Sequence, residues 1–225
     1  MVGSMRIVVG VDGSPCSAQA VDWAADEAGR RGAPLTLVHV AHPSWVALGA
    51  ELPVMVEQEP PARPAYLDDE ASRIAHVHPS LEVTCLDLVG APAQTLIEQS
   101  RDAALVVVGA RGRARVVEMV LGSVSRHVVG HAHCPVVVVR GDIARAGAPV
   151  AVGIDDSVPS RTALRAACTE ASLRGVPLVV VHAWEDLGYS AYGAWVPPIG
   201  TPEELAEAAT LAADDAVEEV AAAFP

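Results

Sequence analysis

The chain has 225 residues, of which 51% are hydrophobic, and a formal net charge of −13. The apolar share excludes wholesale disorder and suits one large domain or two small ones. The acidic balance argues against nonspecific binding to a nucleic-acid backbone, and no apolar segment reaches the length needed to span a membrane.

The first apolar run is "RIVVGV" (6–11), followed by Asp12 and Gly13. A helix is expected over 18–31, capped by Ser17 and ended by Gly32 and Pro34. A second valine-rich run, "LTLVHV", covers 35–40. The stretch 41–64 is proline-rich towards its end and keeps no period, so it reads as a long loop. A helix is expected over 65–78, then a strand in "EVTCLDLV" (82–89). A third helix starts at Pro92, a good first-turn residue, and runs to Arg101. The run "ALVVVG" (104–109) leads into "GARGRARVVEMVLGSVS" (109–125). A fourth helix is expected from Ser123 to Gly130, then a fifth strand in "PVVVVR" (135–140). Short, continuous valine-rich runs suit strands buried on both faces. Alternation with helices makes the fold class α/β, with a parallel sheet covered by helices.

The chain also repeats itself. Gly10, Asp12, Ser14, Ser17, Glu27, Arg31, Gly32, Pro34, Leu35 and His39 recur as Gly153, Asp155, Ser157, Ser160, Glu170, Arg174, Gly175, Pro177, Leu178 and His182. The spacing is a constant 143 residues, as between Gly10 and Gly153, and no gap is needed. The unit is duplicated. The expected organisation is a complete domain over 1–140, a linker over 141–149 and a partial second copy over 150–225. That copy would hold two strands (149–155 and 177–183) and helices near 160–174 and 203–222. Either the chain belongs to a longer tandem protein, or 149–225 is ordered by docking on the first copy or on another chain.

The glycine-rich stretch follows a buried strand and opens a helix, at the edge where parallel sheets bind ligands. Gly109 and Gly112 permit close approach. Gly122 and Ser123 sit at a helix start, where free N–H groups and the helix dipole attract phosphate. Ser123 and Ser125 add hydroxyls, and Val124 lies between them. All 15 basic residues are arginines, so a P-loop with its lysine is excluded, and GxGxxG is absent. What stands is Gly-x2-Gly-x9-Gly-Ser.

Together with the opening Asp12 and the closing "HCPVVVV", this spacing resembles the ATP-binding branch of the universal stress protein family. The resemblance covers the whole first copy and continues into the second. It implies a doubly wound, Rossmann-like sheet of five parallel strands in the order 3-2-1-4-5. It implies a nucleoside beside Asp12, an adenine contact from the backbone of Val40, and ribose and phosphates held by Gly109, Gly112, Gly122, Ser123 and Ser125. It implies ATP, with or without Mg2+, homodimers joined along the fifth strand or pairing of the two copies, and a role in stress regulation through an unidentified protein partner.

Each feature has a plainer reading. The plainer readings are a structural turn for the glycine loop and an Asx-turn cap for Asp12, but the spacing and the place at the strand ends favour nucleotide binding for both. Arg111, Arg113 and Arg115 are solvated charge or the counter-charge for phosphate, with Arg111 best placed between the first two glycines. "HAHC" (131–134) is too compact to supply a tetrahedral metal site by itself, so no metal is expected there. His39 and His182 read as packing residues. Trp45, Trp184, Trp195, Tyr189 and Tyr192 suit a partner surface or a cover over the crevice. The scattered cysteines read as free thiols of a cytoplasmic protein. No nucleophile–base pair is legible. The leading expectation is an ATP-binding regulator with little catalysis. The alternatives are a nucleotide-transferring or adenylate-forming enzyme and a nucleotide-free interaction module.

Overall fold

The computed structural model of the chain describes residues 5–41, 45–47, 53–55, 63–112, 121–141, 147–155, 157–182 and 201–221. The chain divides into two compact units, Met1–Ile143 and Ala144–Pro225. The first holds strands β1 (Arg6–Gly10), β2 (Leu35–Ala41), β3 (Trp45–Ala47), β4 (Pro53–Met55), β5 (Val83–Val89), β6 (Ala103–Gly109) and β7 (Val136–Val139). Its helices are α1 (Pro15–Arg31), α2 (Ala65–Val77), α3 (Pro92–Gln99) and α4 (Ser123–His131).

Five strands form one parallel sheet in the order β5-β2-β1-β6-β7. Taken in chain order, those five strands run 3-2-1-4-5, as the resemblance implies. Strand alternation sends β1 side chains to both faces. Ile7 and Val9 pack with α1 and α2 residues such as Ala24 and Leu67. Val8 packs on the other face with Leu96, Ile97 and Val128 of α3 and α4. Ile7, Val8 and Val9 are wholly buried. Each such side chain contributes about 1.5–3 kcal/mol of transfer free energy.

Helix α1 begins earlier than the sequence suggests. Its N-cap is Ser14, whose side chain accepts from the Ser17 N–H at 3.2 Å. Ser17 is the third helical residue, and its hydroxyl donates back to the Ser14 carbonyl at 2.9 Å. Pro15 is the reason: its fixed φ is already helical and its missing N–H costs nothing at the first position. Gly32 ends the helix at φ 59°, a left-handed value that a side chain disfavours. Buried Glu27 is held by Arg30 at 2.9 Å and Arg31 at 2.6 Å, which offsets the desolvation of its carboxylate.

Two other expectations change in detail. Within 41–64, read as a loop, β3 and β4 form a short antiparallel ladder with Val46 opposite Val54. Three-residue strands are too short to carry a period of two. Helix α3 tightens at its end into a 3-10 turn, Ser100–Asp102.

The second unit contains β8 (Val150–Ile154), α5 (Val158–Arg174), β9 (Leu178–His182) and α6 (Pro202–Ala221). Strands β8 and β9 pair in parallel, with Val152 opposite Val180. The α1 start is reproduced at α5: Ser157 caps it through the Ser160 N–H at 3.2 Å. Gly175 closes α5 at φ 62°. Leu164, Val152, Ile154 and Val220 form the core of this unit. No described helix is long and apolar enough to cross a membrane.

Candidate functional site

The sheet order places β1 beside β6, and this is where the winding reverses. From β1 the chain crosses through α1 to β2, whereas α3 carries it from β5 over to β6 on the far side. At such a point the loops leaving the two strands part and leave a crevice at their carboxyl ends. Asp12 leaves β1 there, and Gly109, Ala110, Arg111 and Gly112 leave β6.

Asp12 meets Gly112 across that gap. A Cβ at position 112 would stand 2.6 Å from the Asp12 Oδ2 atom. Only glycine fits beside the carboxylate without a shift. The other carboxylate oxygen, Oδ1, accepts from the Ser14 N–H at 3.0 Å. Asp12 therefore makes the Asx-type bond of the plainer reading and also faces the glycine loop. In the second unit Asp155 repeats the turn: its Oδ1 accepts from the Ser157 N–H at 3.2 Å and from the Ser157 hydroxyl at 2.6 Å. Those two bonds lower the Asp155 pKa.

Gly109 answers a different demand. A Cβ there would stand 2.7 Å from the Cys16 carbonyl oxygen in the first turn of α1. Its neighbour is backbone, which cannot swing aside as a flexible side chain does. Gly109→Ala is expected to destabilise the first unit by about 1–3 kcal/mol, as overpacking does. The check is the midpoint of urea unfolding, and an unchanged midpoint would show that α1 yields.

Gly122 is the N-cap of α4, with ψ 165° and no side-chain cap. The early N–H groups of this helix, from Ser123, Val124 and Ser125, lie at its positive end. Ser123 is exposed, Val124 half-buried and Ser125 buried. The Ser125 hydroxyl donates within the loop, to the Ala110 carbonyl at 3.3 Å and the Gly122 carbonyl at 3.1 Å. Ala110 is the residue that sequence reasoning missed. Its N–H donates to the Val139 carbonyl and its own carbonyl receives the Gly122 N–H, both at 2.8 Å. It thereby ties β6, β7 and α4 together. An alanine working through its backbone leaves no mark in a sequence.

Val40 lies on β2 two residues past Val38, whose carbonyl receives the Val11 N–H at 2.8 Å. Backbone groups two residues apart face the same side of a strand. The Val40 N–H and carbonyl therefore face the β1 side, beyond the end of β1 at Gly10. His39, read as a packing residue, ties the same region together. Its Nδ1 lies 3.1 Å from the Val11 carbonyl and 2.9 Å from the Tyr66 hydroxyl. The His39 and Tyr66 rings meet edge to face at 5.5 Å.

Arg111 is half-buried at the mouth of the crevice. Arg113, Arg115, Trp184, Tyr189, Tyr192 and Trp195 lie outside the described residues, and Trp45 is described only as part of β3. No group of three His, Cys, Asp or Glu side chains is placed to hold a metal among the described residues. Cys16, Cys85, Cys134 and Cys168 are free thiols. Burial raises the pKa of Cys85 and of Cys134.

The universal stress protein family model matches residues 3–140 and 148–225. Universal stress protein Rv2623 of Mycobacterium tuberculosis is 38% identical over 200 residues, a span of 84% of this chain and 67% of that protein. A universal stress protein of Mycolicibacterium smegmatis is 41% identical over 210 residues, covering 89% of this chain and 69% of the relative. The chain thus spans about two thirds of the length of these relatives. A universal stress protein structure from Archaeoglobus fulgidus shares the fold, with a TM-score of 0.57 at 18% identity, over 94% of this chain and 74% of that one.

Proposed function

The chain belongs to the universal stress protein family, and from that premise we propose that residues 1–140, within its first unit, are a complete domain that binds ATP and acts as a cytoplasmic stress-response regulator rather than a catalyst. The observation that carries this reading is the approach of Gly112 to Asp12 across the gap between β1 and β6. Backbone without side chain lies there beside a carboxylate, at the edge where a doubly wound sheet takes its ligand.

Each candidate residue has a part in this reading. The Asp12 carboxylate accepts from ribose hydroxyls. The backbone of Val40, past the end of β1, reads the adenine edge. Gly109, Arg111 and Gly112 form one wall, with Arg111 as counter-charge. Gly122 and the first N–H groups of α4, at Ser123, Val124 and Ser125, face the phosphates, where a helix N-terminus favours an anion. Mg2+ is expected to accompany the triphosphate. The bound state would set the shape that a regulatory protein partner recognises. Homodimers would form along β7, an outer strand of the five-stranded sheet.

The test is extraction of nucleotide from the purified chain, followed by titration of the emptied protein with ATP and Mg2+. One ATP per chain is expected, because the second unit repeats Asp12 as Asp155 but repeats no glycine loop among its described residues. Two equal sites would overturn the single-site reading. No binding of any adenine nucleotide would favour a nucleotide-free interaction module. Asp12→Ala is expected to weaken ATP binding by about 1 kcal/mol, roughly fivefold, since one hydrogen-bonding group is lost and the loop stays. The same titration measures it.

A further inference from the structure

Helix α4 carries a second feature, at the end away from the glycine loop. His127 and His131 stand one turn apart, both exposed. Their rings stack nearly parallel, with centroids 4.9 Å apart and planes 19° apart. The His131 Nδ1–H donates to the His127 carbonyl at 2.9 Å. A carbonyl only accepts, so the proton sits on Nδ1 and the lone pair of His131 is left on Nε2. Histidines that ligate metals are held in this way, with the other ring nitrogen donating to a carbonyl or carboxylate. His131 is also the last residue of the helix, where the dipole presents its negative end and favours a cation.

We propose that His127 and His131 form a two-histidine chelate for a divalent late-transition-metal ion, with water completing the coordination. Imidazole nitrogens select copper, nickel and zinc over calcium or magnesium, and Cu(II) heads the affinity order. Metal–nitrogen bonds of about 2.0–2.1 Å need the two ring nitrogens roughly 3 Å apart. Stacked rings hold their in-plane lone pairs side by side, so binding turns the His127 ring out of the stack until its lone pair meets the His131 Nε2 lone pair on one ion, a rotation its exposure allows. No third His, Cys, Asp or Glu joins the pair among the described residues. His133, two residues further on, is outside the helix, and its backbone N–H is taken by the Ser100 hydroxyl at 2.8 Å.

The experiment titrates the full chain, freed of metal, with CuCl2 against a chromogenic competitor. The paramagnetic broadening of the histidine ring proton signals is followed in parallel. One Cu(II) per chain is expected in the tightest class, with the His127 and His131 signals broadened first. His127→Ala and His131→Ala are each expected to weaken that class at least about tenfold, the least loss seen when a metal's supporting groups are removed. His131→Gln keeps a donor for the His127 carbonyl but loses the ligand, so it too should lose binding while the helix stays intact by circular dichroism. His76→Ala and His133→Ala should bind as the parent does. Unchanged affinity in His127→Ala and His131→Gln would overturn the proposal, as would the absence of any stoichiometric Cu(II) binding.

Discussion

Gly112→Glu is expected to abolish ATP binding, by at least about 100-fold or 2.7 kcal/mol, while the first unit stays folded. A Cβ at position 112 already stands 2.6 Å from the Asp12 carboxylate, before any further atoms are added. Glutamate also brings a negative charge beside Asp12 and towards the phosphates of the proposed ATP, and like charges at such short range repel. Gly112 is exposed, on the loop after β6, so the core of the unit is untouched. Gly122 is the comparison that separates crowding from charge. A Cβ there meets the Ala110 carbonyl oxygen at 3.5 Å, an ordinary contact. Gly122→Ala should therefore bind nearly as the parent does, whereas Gly122→Glu should lose binding through its charge at the start of α4. Isothermal titration with ATP, with folding followed by circular dichroism, reads all three variants. If both glutamate variants bind ATP with unchanged affinity, the loop is a turn and nothing more.

Residues 144–225 produced alone are expected to show no cooperative unfolding, whereas residues 1–143 should unfold in a single transition. The duplication makes the comparison direct. Val38 on β2 is 1% exposed, under α3, whereas its counterpart Val181 on β9 is 52% exposed. Thr36 is 3% exposed and its counterpart Val179 43%. One face of the β8–β9 pair is therefore apolar and open to water within the second unit, and two strands alone make a marginal sheet. The other face is closed by Leu164 and Val220 of α5 and α6, and among the described residues the core of this unit is one small cluster. Thermal melts of the two fragments, with limited proteolysis of the whole chain, measure this. The first unit should be the resistant fragment and should retain the nucleotide. A monomeric 144–225 fragment that melts cooperatively would show that one covered face suffices.

The amino-acid sequence by itself determined the strands of the main sheet, the helices, the duplication and the family, but not the short β3–β4 ladder. Valine runs between glycine and proline stops carry strand geometry within six or seven residues. Helix starts are written in local chemistry, and the Ser-x-x-Ser turn appears twice because Ser14 with Ser17 and Ser157 with Ser160 close bonds only three residues apart. Even so, the cap was legible to within three residues and no better, because either serine satisfies the local pattern and the proline between them decides. The glycines were legible as glycines but not in their separate tasks. Gly109 is small because the Cys16 backbone passes it, and Gly112 because Asp12 does. Both neighbours lie more than ninety residues away in the chain. They become neighbours through the strand order that sets β1 beside β6, a choice made by the packing of two sheet faces under different helices. Ala110 as the tie between three elements, the His39–Tyr66 contact and the stacked pair on α4 were settled at that level too. A sequence period reports which face a residue takes along its own element. Which other element comes to meet that face is decided only when the sheet is assembled and its apolar surface buried.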